Sequence, residues 1–159
     1  MKKQKTFYIS ISVLMLITLF TSCLKKDLPD YPAWNGNYIN NVFVEYRWED
    51  LNNLYNGKPV VAYQKLQVEE EIDSSKNMIN IQITVPAVSG TFTADVRNNV
   101  SQSHLWMYSD ISTAATVAPT GNTPKLGDPA DLTQPQTYVV TAANGQKRTW
   151  TIKVTSFIK

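Results

Sequence analysis

Residues 137–157 read TYVVTAANGQKRTWTIKVTSF. Tyr138 and Val140, and then Trp150, Ile152 and Val154, recur at every second position. A period of two, carried by β-branched and aromatic residues, marks a pair of strands. Asn144-Gly145 supplies the turn, but a two-residue turn fails on parity. It would set Val139 against Trp150 and leave Tyr138 and Val140 on the face of Thr149 and Thr151. A three-residue loop, Ala143-Asn144-Gly145 with Gly145 left-handed in a bulge, restores the match. Tyr138 then faces Trp150, and Val140, Ile152 and Val154 share their side.

The same alternation recurs upstream. VFVEYRW (42–48) puts Val42, Val44, Tyr46 and Trp48 on one face and Phe43, Glu45 and Arg47 on the other. LQVEEEI (66–72) and MINIQITV (78–85) form a hairpin if Ile72 sits opposite Ile79. Val68 then faces Ile83, Leu66 faces Val85, and Ser75-Lys76 is the tip. A slip of one residue would bury Asn80, Gln82 and Thr84, so the pattern fixes the register. HLWMYSDIS (104–112) and ATVAPT (115–120) read as short strands. GNTPKLGDPADLTQP (121–135) reads as a loop, and EDLNNLYNGKPVVAY (49–63) as an insertion with one short strand at Val60–Tyr63. Many short strands at this spacing predict an all-β, antiparallel sandwich.

The chain opens differently. Lys2, Lys3 and Lys5 precede a mostly apolar run from Phe7 to Phe20, followed by Thr21, Ser22 and Cys23. A basic start, a short apolar stretch and small residues make an export signal. The run is shorter than the roughly 20 residues a spanning helix needs. Small residues before a cysteine resemble the lipobox of bacterial lipoproteins, with Phe20 in place of the usual Leu, Val or Ile. The resemblance implies cleavage after Ser22, lipid on the Cys23 thiol and an outer-membrane location, on the surface or the periplasmic face. The expected organisation is a signal peptide at 1–22, a lipidated cysteine and tether at 23–37, and a sandwich domain at 38–159. Cys23 is the single cysteine, so an internal disulfide is excluded. A thiol consumed by lipid is also unavailable for catalysis or zinc.

The formal charge of +2 counts the signal. Without Lys2, Lys3 and Lys5 the chain carries 12 basic residues against 13 acidic ones. No basic stripe is left for phosphates, which argues against nucleic acid as a partner.

YVVTAANGQKRTWTIKVT resembles the terminal hairpin of Ig-like domains in Bacteroidota lipoproteins. Tyr138, Val140, Thr141, Ala142, Gly145, Trp150 and Ile152 occupy the matching positions, and Asn144 replaces the usual Asp. MINIQITVP and ATVAPTGNTPKLGDPADLTQP are similar to other parts of those domains. The likeness spans about residues 65–157 and implies an Ig-like sandwich and an envelope lipoprotein. Its motif is architectural and carries no catalytic or binding residue.

Chemistry is sparse. His104 is the sole histidine, and no spacing gives it catalytic or metal-binding partners. Glu69 and Glu71 point away from Glu70 in a strand, so the three cannot chelate one ion. Asp128 and Asp131 lack calcium-loop spacing. The expectation is therefore a non-enzyme without metal or cofactor. Aromatics remain: Trp34, Trp106 and Tyr108 are candidates for stacking on sugar rings if they lie together on the surface. The competing expectation packs Trp106 and Tyr108 inward and lays Trp34 over the sandwich end, which favours a protein partner or a spacer. Two roles follow: a module binding glycan or an outer-membrane protein, or a structural and adhesive spacer.

Overall fold

Strand pairing follows the alternation in the sequence. A computed structural model describes residues 31–159; the signal and Cys23 lie outside the described residues. Ala33–Lys159 forms a compact unit of two packed sheets. The strands are β1 (Ile39–Tyr55), β2 (Lys58–Lys65), β3 (Gln67–Asp73), β4 (Met78–Thr84), β5 (Leu105–Ile111), β6 (Thr116–Pro119), β7 (Pro129–Ala130), β8 (Gln136–Thr141) and β9 (Lys147–Ile158). One sheet has four strands in the order β2-β1-β5-β7, the other five in the order β3-β4-β9-β8-β6.

The β8–β9 hairpin has the expected register, with Tyr138 opposite Trp150. Gly145 has φ +85°, and Ala142 N–H bonds the Gln146 carbonyl across the three-residue loop at 2.8 Å. In β3–β4, Ile72 pairs with Ile79 and Val68 with Ile83. Asp73 caps that tip, accepting from Ser75 N (3.0 Å) and Lys76 N (3.1 Å).

Both sheets turn their apolar parity inward. The five-stranded sheet contributes Ile79, Ile81, Ile83, Tyr138, Val140, Trp150 and Ile152; the other contributes Ile39, Val42, Val44, Leu105 and Met107. The β4–β5 connection adds Phe92 and carries one short helix, α1 (Ala94–Asn98), whose N-cap Thr93 accepts from Val96 N. The Trp150 indole N–H donates to the Asn37 carbonyl at 3.0 Å. This bond ties the start of the domain to the core.

Three features differ from the sequence expectation. The sandwich is not wholly antiparallel, because β4 runs parallel to β9. They come from different hairpins, so no local turn dictates their relative direction. Residues 49–63 are not a loop insertion with a lone strand. They continue β1 through a register shift between Asp50 and Leu54 and return as β2 through Asn56 (φ +49°) and Gly57 (φ +74°). Two successive left-handed residues are what a two-residue hairpin turn requires. Residues 51–58 are all exposed, so the hairpin extends beyond the sandwich as an arm. Finally, Trp34–Asn37 are not free tether: the Trp34 carbonyl accepts from Asn144 N, and Asn37 is buried.

The outer face of the four-stranded sheet as candidate functional site

Alternation along β5 decides which side chains reach the surface. Leu105 and Met107 are buried, so Trp106 and Tyr108 project to the outer face and are half-buried there. The expectation that these two aromatics pack inward is thus overturned. The strand is apolar on both parities, and the core takes the aliphatic set.

β1 completes the face. Phe43 lies opposite Tyr108 and Glu45 opposite Trp106. On the other side, Glu45 pairs with Lys65, Arg47 with Tyr63 and Glu49 with Val61 of β2. The outer face therefore carries Phe43, Tyr63 and Val61, all well exposed, around a polar centre.

That centre is a closed network. The Arg47 guanidinium donates through Nε to Glu45 Oε1 at 2.6 Å and through Nη2 to the Tyr108 hydroxyl. The Tyr108 hydroxyl donates to Glu45 Oε1 at 3.2 Å. Arg47 also lies 5.5 Å from the Trp106 ring centroid and 5.7 Å from that of Tyr108. His104 meets Trp106 edge-on, with centroids 5.0 Å apart. The Glu45 bond holds the Arg47 proton more firmly than usual. Burial, then the Glu45 charge, raises the Tyr108 phenol above its ordinary value.

A groove of about 370 Å³ borders the network where β2 leaves β1, lined by Phe43, Glu45, Lys65, Leu66, Val68 and Tyr108. Beneath it Glu70 Oε2 accepts from Val42 N at 3.0 Å, filling an edge position of β1 with a side chain. Desolvation raises the Glu70 carboxyl.

The structure does not unite the three aromatics named from sequence. Trp106 and Tyr108 share the outer face. Trp34 is exposed at the other end of β5, where its indole nitrogen lies against Gly36, next to Ser112. Six residues of strand separate Trp106 from Ser112, about 20 Å. Arg47 lies over the Trp106 ring, in a position that competes with a stacked sugar. Arg47, Glu45, Phe43 and Tyr63 were not singled out from sequence. Alternation had already placed the β1 residues away from the core, but their neighbours on β2 and β5 come from non-local pairing.

Among the described residues, no group of three or more His, Cys, Asp or Glu side chains is placed to hold a metal ion. No helix among them is long and apolar enough to cross a membrane.

Fold and face together define an all-β, two-sheet sandwich domain with an aromatic outer surface. The chain belongs to the DUF5018-related family, whose model matches residues 39–153. No curated protein matches. A crystal structure of a Bacteroides fragilis protein described as secreted is similar, with 37% identity and a TM-score of 0.73, over 80% of this chain and 100% of that one.

Proposed function

We propose that this chain is a non-catalytic binding module of the cell envelope, held at the outer membrane through lipid on Cys23, and that its partner is a protein docking on the outer face of the four-stranded sheet. The observation that carries the reading is the composition and arrangement of that face. Exposed Phe43, Val61 and Tyr63 surround an Arg47–Glu45–Tyr108 network. Trp, Tyr and Arg are the residues that dominate protein–protein binding energy, and they do so in the middle of an interface. Arg47 over Trp106 favours a protein over a glycan, because it competes with a stacked sugar for that ring.

The signal-like start, Cys23 and the similarity to a Bacteroides protein described as secreted support the envelope location. Photo-crosslinking in intact cells tests the binding face. A reactive side chain at Tyr63 should trap a protein, and one at Lys153, exposed on the five-stranded sheet, should not. Equal trapping from both positions, or none from Tyr63, would remove the assignment. A glycan array in which Tyr63→Ala abolishes a signal would move the partner to sugar.

A further inference from the structure

The outer face is self-complementary, and we propose that the protein docked there is a second copy of this chain. The proposal rests on the binding reading above and names its partner.

Area is the first argument. Phe43 is 49% exposed, Leu54 59%, Val61 60% and Tyr63 59%. Taking whole aromatic side chains at roughly 150–250 Å² and aliphatic ones somewhat below that, these four present about 400 Å² of apolar surface. Glu45, Arg47, Glu49 and Lys65 of the same two strands enlarge the patch to the low end of the roughly 1,200–2,000 Å² total that stable interfaces bury, while β5, one strand further out, stays at its rim.

Charge is the second. Within the sheet, Glu45 lies beside Lys65 and Arg47 beside Tyr63. A two-fold axis parallel to β1 lays β1 of one copy over β2 of the other. Glu45 then opposes Lys65 of the second copy, and Arg47 covers its Tyr63. Both contacts occur twice, as an isologous interface requires. The ion pair fixes the register of the two copies, and the cation–π contact strengthens where water is excluded.

Two further features choose the geometry. Edge-to-edge pairing through β2 is blunted by Pro59, which has no N–H, and by Lys58 and Lys65. On the β1–β2 side of the domain, that favours the face over the edge. An axis parallel to β1 also sends both N-terminal segments out at the same end, as anchoring in one membrane demands.

The test uses the lipid-free chain, residues 24–159, which contains the whole described domain. Sedimentation equilibrium from about 1 µM to about 1 mM covers the affinities expected of an interface this size. The chain should dimerise. Tyr63→Asp and Phe43→Asp should each weaken dimerisation at least tenfold with an unchanged far-UV spectrum. Lys65→Glu and Glu45→Lys should each be monomeric alone, while an equimolar mixture of the two should pair again. A monomer throughout the range, a dimer indifferent to Tyr63→Asp, or a mixture that stays monomeric would overturn the proposal. A monomer whose position 63 still traps a different protein in cells would remove self-pairing and leave the binding reading intact. A monomer that traps nothing would remove both.

Discussion

Replacing Trp150 with Phe separates the two tasks of its indole. The side chain is fully buried, and its N–H donates to the carbonyl of Asn37, itself only 7% exposed. Phe fills most of the same space but donates nothing. The Asn37 carbonyl is then a buried acceptor without a partner, which costs about 1–3 kcal/mol. The missing ring atoms cost about 1–2 kcal/mol more in lost transfer energy and residual cavity. The expected loss is therefore about 2–5 kcal/mol, from a total that for a domain is only about 5–15 kcal/mol. At this chain length that lowers the melting temperature by on the order of 10 °C. Urea denaturation followed by far-UV circular dichroism gives the free energy directly. Hydrogen exchange supplies the second readout: protection around residues 34–38 should fall further than in Val140→Ala, which thins the same core without touching Asn37. A midpoint within error of the parent, or equal exchange in the two variants, would refute the assigned role of the indole N–H.

Burial, followed by the nearby Asp128 charge, pushes the Tyr138 phenol up to about 12 from an ordinary 10.0. Its neutral form is thus favoured in the folded state. The stability it lends is complete below pH 10 and is lost as pH rises toward about 12; Tyr138→Phe should remove that alkaline loss, read from denaturation midpoints across the interval. Gly145→Ala should cost about 1–2 kcal/mol, because φ is +85° while an added Cβ would meet nothing within 4 Å; Gly145→Asn should cost less. Thermal melts of the two variants check the order. Cys23→Ala should release the chain from membranes and stop incorporation of labelled fatty acid, and equal retention of the variant would end the lipid-anchor reading.

The parts of the fold legible from sequence are those where a single local turn joins two faces of unequal polarity. At Tyr138–Trp150 and Ile72–Ile79, parity alone selects the register. The β1–β2 arm was hidden because it lacks such asymmetry. Leu51, Leu54, Tyr55, Val61 and Tyr63 are all exposed, and the register shift after Asp50 breaks the period. Asn56-Gly57 marked the turn, but without alternating flanks it could not be told from a loop. The parallel β4–β9 pair had no signal, since 62 residues of chain lie between Thr84 and Lys147. The site was half legible. Trp106 and Tyr108 belong to it, but the strand LWMYSDI is apolar on both faces, so its orientation depends on Arg47 and Glu45 of another strand. Trp34 failed as a member because its position is set by the 143–145 turn and Ser112, both remote in sequence.

Strand β1 is 17 residues long, starting at Ile39 in the body of the sandwich and ending at Tyr55, at the tip of the projecting hairpin. At about 3.3 Å per residue it is roughly 55 Å long. A pull on the arm, resisted at Tyr38, acts along this one strand. The hydrogen bonds joining β1 to β5 over Ile39–Glu45 lie across that direction. They carry none of the load, because both ends of the pull lie on β1 and its extended backbone transmits the force covalently. The domain thereby resists extension along the axis from Tyr38 to the arm without straining its sheet, whereas peeling an edge strand opens hydrogen bonds one at a time.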